Sequence, residues 1–144
     1  MERKIIKKRI LWSREAFSSL LGRVFARTER SNQVFSVVEF GIGDFETNME
    51  LGKRIFQVVA KELRSTDEVG WLKYHHIGVL LYDTSFEGAR IFSERICSKL
   101  LPNPPTFFGF TIHTFPIERR IQDDANYQVP EGRQAVLSSL FAFN

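Results

Sequence analysis

Val34-Phe35-Ser36-Val37-Val38-Glu39-Phe40 is the segment that most limits what this chain can become. It is short, β-branched and almost continuously apolar, as expected of a central strand covered on both faces. Helical faces flank it. Phe17, Leu20, Leu21, Val24 and Phe25 recur at helical spacing over about residues 13–30, and Leu51, Ile55, Val58, Val59 and Leu63 mark a second face running to about Arg64. Ala89, Phe92, Ile96 and Leu100 mark a third, with Asp83, Thr84 and Glu87 as its cap and Thr84 and Glu87 at capping-box spacing.

Two strand-like runs, Glu68 to Lys73 and Ile77 to Tyr82, lie between the second and third helices at hairpin spacing, with the turn at Tyr74-His75-His76. After the third helix, Pro102-Asn103-Pro104-Pro105 forces a loop, and Phe108, Phe110 and Ile112 alternate as in a half-exposed strand. The order predicts an α/β (α+β) fold with a ferredoxin-like β-α-β-β-α-β core, a mainly antiparallel central sheet with helices packed on it, and an extra N-terminal helix. The expected organisation is a basic arm over 1–12, one domain over 13–116 and an extension over 117–144 that packs back as a short helix or begins a connection.

At 144 residues, 43% of them hydrophobic, the chain can bury one core and is too short for two comfortable domains. The net charge of +3 owes much to Arg3, Lys4, Lys7, Lys8 and Arg9, which read as a solvated arm or the end of a signalling helix. The phenylalanines sit at core spacings rather than interleaved with basic residues on a sheet face, which argues against a nucleic-acid partner. No apolar run is long enough to cross a bilayer and no secretory h-region opens the chain, so a cytoplasmic location is expected. Cys97, the one cysteine, excludes an internal disulfide and a cysteine-rich zinc site, and reads as a small buried hydrophobe.

Ser13-Arg14-Glu15-Ala16-Phe17 resembles the Asn-Arg-Arg-Ala-Phe start of the GGDEF (diguanylate cyclase) family of bacterial signalling domains, and Phe35 to Phe40 the strand that carries their first metal-binding carboxylate. Ala60-Lys61-Glu62-Leu63-Arg64 followed by Ser65-Thr66-Asp67 resembles the end of their second helix and its Arg-x-x-Asp box. Ile77 to Thr84 and Glu87-Gly88-Ala89 resemble the strand and helix start that follow the signature hairpin. The resemblance spans roughly Ser13 to Pro116.

The signature itself is replaced: Lys73-Tyr74-His75-His76-Ile77 stands where Gly-Gly-Asp-Glu-Phe would be. Glycines there let backbone amides approach nucleotide phosphates, and side chains obstruct that approach. Two histidines do not replace two anionic oxygen ligands for magnesium. Glu39 falls near the family's first metal-binding aspartate, a vestigial position that reads as a strand-end acid paired with a nearby base. The expectation is therefore a domain without catalysis and without a metal or other cofactor.

What the resemblance leaves is the box Arg64-Ser65-Thr66-Asp67, which in the family binds cyclic di-GMP. A guanidinium can fork onto phosphate or stack on guanine, and an Asp can accept from the guanine edge. The same two residues also read as a helix-end cation and a turn-forming acid. Two functions stay open: a non-catalytic cyclic di-GMP receptor using Arg64 and Asp67, and a module that binds a protein partner or dimerises to regulate an enzyme. His75 and His76, with Glu39 or Asp44, suggest a metal site, but adjacent strand residues point opposite ways and a surface turn is the simpler expectation.

Overall fold

The computed structural model describes residues 9–41, 45–73, 76–100 and 109–116, with the backbone alone for 45–51. Asp44, Tyr74 and His75, the Pro102–Pro105 loop, Phe108, the extension over 117–144 and the first eight residues lie outside the described residues, as does the side chain of Leu51. The elements run β1 (Leu11–Trp12), α1 (Arg14–Ser31), β2 (Phe35–Gly41), α2 (Phe45–Glu62), β3 (Glu68–Trp71), β4 (Ile77–Tyr82), α3 (Phe86–Leu100) and β5 (Gly109–Phe115). The sheet order is β1-β3-β4-β2-β5. β2 pairs antiparallel with β4 on one side and β5 on the other, β3 pairs antiparallel with β4, and β1 pairs in parallel with β3. This is the split arrangement expected: β4 lies between β2 and β3, and β2 lies between β4 and β5.

The strand alternation of β2 sorts its side chains between two cores. Val38 and Phe40 pack with Val69, Ile77, Val79 and Leu81 against Ile55 and Val59 of α2 and Ala89, Ile96 and Leu100 of α3. Phe35 and Val37 pack with Leu72, Leu80 and Phe115 against Phe17, Leu21, Val24 and Phe25 of α1. The rings of Phe25, Phe35 and Phe115 meet at centroid distances of 4.5 to 5.2 Å. α1 can lie this close because β3 has a glycine under it: a Cβ on Gly70 would stand 2.5 Å from the Phe17 ring.

Ser13 caps α1 by accepting from the Ala16 amide at 3.2 Å, and Asn32 closes it in the left-handed conformation. Three local expectations need correction. Leu11 and Trp12, assigned to the arm, form a strand on the outer edge of β3, and the Trp12 indole donates to Glu68 at 2.8 Å. α2 ends at Glu62 and β3 at Trp71, each two residues short of expectation. The cap of α3 is Ser85, whose hydroxyl accepts from the Gly88 amide at 3.2 Å, rather than Thr84, which is engaged elsewhere. Among the described residues, no helix is long and apolar enough to cross a membrane.

Candidate functional site

Two polar clusters sit at opposite ends of the sheet, each beside a segment singled out in the sequence. The first forms where β3 begins and β4 ends. Because α2 stops at Glu62, the chain turns through residues 63–67, with the Asp67 amide donating to the Arg64 carbonyl at 3.0 Å. Asp67 is 2% exposed, and its carboxylate accepts from the Arg64 amide, Arg64 Nε, Arg64 Nη2 and the Tyr82 amide at 3.1 to 3.2 Å. The Arg64 side chain is 55% exposed; its Nη2 also donates to the Tyr82 carbonyl and, at 2.9 Å, to Thr84 Oγ1. The structure thus brings Arg64 and Asp67 together, but turned on each other and on the end of β4. Arg9, which the sequence placed in the arm, adds a second guanidinium: it donates to the carbonyls of Asp67 at 2.8 Å, Leu63 at 3.1 Å and Arg64.

The second cluster lies at the hairpin end. Glu39 of β2 stands opposite Gly78 of β4 and Thr111 of β5, so its carboxylate emerges between two neighbouring strands. His76 Nδ1 is 2.8 Å from Glu39 Oε1, and His113 Nε2 is 3.6 Å from Oε2. The second distance is too long for a hydrogen bond, and His113 Nε2 is buried with no hydrogen-bond partner among the described residues. Burial alone would raise the pKa of Glu39, but His113 and His76 outweigh it and bring it down to about 2. The acid–base pair expected at Glu39 is present, with His76 as the base. His76 is therefore not a plain surface-turn residue: its side chain is 25% exposed and committed to Glu39. Among the described residues, no group of three His, Cys, Asp or Glu side chains could hold a metal ion.

His113 escaped the sequence reading, and Arg9 was read as part of the solvated arm rather than as a partner of the 63–67 turn. β5 alternation with a register to β2 would have put His113 on the same face as Glu39, since Val37, two residues from Glu39, is its partner. No comparable signal marks Arg9, whose contacts are 54 to 58 residues away along the chain.

The sequence matches no model of a known protein family and no curated protein. The fold does match solved structures. A DGC protein from Thermotoga maritima superposes with a TM-score of 0.61 at 18% identity, covering 75% of this chain and 84% of that one. The GGDEF domain of DgcB from Caulobacter crescentus, in complex with c-di-GMP, superposes with a TM-score of 0.57 at 13% identity over 79% of this chain and 76% of that one. Diguanylate cyclase SiaD from Pseudomonas aeruginosa, in complex with its activator SiaC, gives 0.51 at 18% identity over 72% of this chain and 46% of that one. Together with the split sheet order, these likenesses give the chain the GGDEF fold.

Proposed function

We propose that this is a non-catalytic GGDEF-like regulatory domain. The observation that carries the proposal is the hydrogen bond between His76 and Glu39. Cyclisation of a nucleoside triphosphate needs metal-bound phosphate oxygens and therefore several anionic oxygen ligands in one place. The donor set here is one carboxylate held by one imidazole and approached by a second. It does not fit magnesium, and Lys73 and Tyr74 replace the glycines that would admit the phosphates. Incubating the full chain with GTP and magnesium or manganese, and following pyrophosphate and cyclic di-GMP by chromatography, should give no product above a protein-free blank. Turnover above that blank would overturn the proposal.

The regulatory output that fits best is contact with a protein partner or a second copy. Asp67 already spends both carboxylate oxygens on four internal donors, which leaves it poorly placed to read a guanine edge. Diguanylate cyclase SiaD, under half of whose chain this domain matches, is seen in complex with its activator SiaC, a precedent for control of such an enzyme by a partner. The second function, a cyclic di-GMP receptor, draws support from the exposure of Arg64 and from the DgcB complex. Isothermal titration with cyclic di-GMP separates the two. The protein-contact function expects no saturable heat from a folded sample, and binding abolished by Arg64→Ala would establish the receptor instead.

A further inference from the structure

The chain enters the domain through a strand that is too short to hold itself. β1 offers only Leu11 and Trp12, paired with Val69 and Gly70, and a two-residue ladder contributes little alone. Two side chains staple it: Trp12 Nε1 donates to Glu68, and Arg9 grips the carbonyls of Leu63, Arg64 and Asp67. Those carbonyls lie in the turn that follows α2, on the side of its negative C-terminal end, where a guanidinium is favoured.

The contacts do not stop at the turn. Asp67 Oδ1 receives the Tyr82 amide, Arg64 Nη2 donates to Thr84 Oγ1, and the Thr84 carbonyl receives Ser36 Oγ at 2.8 Å. Ser36 Oγ is in turn 2.9 Å from Thr114 Oγ1. Ser36 is fully buried in the central strand, so its hydroxyl is held to these two partners rather than shared with solvent. A single polar relay therefore runs the width of the sheet, from Arg9 ahead of β1, through the 64–67 turn and the end of β4, across β2, to Thr114 near the end of β5.

We infer that this relay couples the lead-in at residues 9–12 to the end of β5, with Arg9 as its positioning residue, so that a partner or chain segment pulling on residues before 9 is felt at Thr114. The coupling is reciprocal, because linkage between two sites has one free energy whichever is perturbed first. It holds whether the domain answers to a protein or to a nucleotide.

Amide exchange and methyl NMR on the full chain test it. Arg9→Ala should speed exchange at the Asp67 and Tyr82 amides by roughly tenfold, the scale of one lost charge-assisted hydrogen bond, while amides within α3 keep their wild-type rates. Arg9→Lys, which keeps a cation but loses the fork, should restore only part of that protection. The Thr114 methyl resonance should move in Arg9→Ala, and should no longer respond to Arg9→Ala once Ser36→Ala has cut the relay. An unmoved Thr114 resonance, the same movement with and without Ser36, or exchange accelerated equally in α3 would each overturn the coupling.

Discussion

The two ends of the sheet handle a buried carboxylate differently. At the β3/β4 end, Asp67 is closed off from solvent and meets four donors, two of them backbone amides. At the hairpin end, among the described residues, Glu39 has one hydrogen bond, to a histidine, and a second histidine that stands close without bonding. Backbone amides do not titrate and move only with the fold, so the Asp67 cluster is a structural joint. Among the described residues, the Glu39 cluster depends on side chains, and its strength depends on protons. The difference makes the Arg64–Asp67 turn the more rigidly held of the two carboxylate clusters and the hairpin end the one whose strength varies with pH.

The largest test of this contrast is Asp67→Ala. It strips four donors of their acceptor, two of them backbone amides beside a carboxylate that is 2% exposed, and leaving a buried donor unsatisfied costs about 1–3 kcal/mol. Urea denaturation should show the loss as a lower midpoint. A cost near that of a surface substitution would break the comparison, because the carboxylate would then be no more than one side of an exposed ion pair.

Glu39→Gln should cost less, about 1–2 kcal/mol at neutral pH, since the amide oxygen still accepts from His76 and only the charge is lost. Its signature is the pH profile. The carboxyl titrates at about 2 in the fold against 4.5 ordinarily, so the unfolded chain takes up the proton first as pH falls. The stabilisation from Glu39 is complete above about pH 4.5 and disappears between there and pH 2. Thermal melts of wild type and Glu39→Gln should therefore converge across that window. Curves that stay parallel down to pH 2 would show that Glu39 is not held by the histidines.

Most of the fold was legible because it rests on periodicity. Phe35 and Val37 against Val38 and Phe40 already announce a strand buried on both faces, and the spacings in α1 and α3 announce the helices that bury it. The parallel pairing of Leu11 and Trp12 was not legible, because two residues carry no period and their attachment comes from Arg9 and Trp12 reaching across more than fifty residues. The capping of α3 misled for a local reason. Thr84 has the right spacing to Glu87, but Arg64 and the Tyr82 carbonyl claim its hydroxyl, and Ser85 one residue on takes the cap. At the site, Glu39 and the Arg64–Asp67 pair could be named in advance because motif spacing placed them. Which partners they would choose depended on strand register, which is how His113 went unnoticed.

The smallest effect sharpens the contrast most. His113→Phe removes a buried ring nitrogen that lacks a hydrogen-bond partner among the described residues, in favour of an apolar ring of similar shape. Removing an unsatisfied polar atom is close to neutral, so stability at pH 7 should change by less than about 1 kcal/mol in either direction. His113 nevertheless helps hold Glu39 in its ionised form, so the variant should raise the Glu39 pKa and start the acid loss of stability at a higher pH than in wild type. Melts at pH 7 and pH 3.5 separate the two consequences: little change at the first and a clear loss at the second. A loss of more than about 2 kcal/mol at pH 7 would instead mean that His113 Nε2 is hydrogen-bonded in the folded protein, making the hairpin end as fully satisfied as the turn around Asp67.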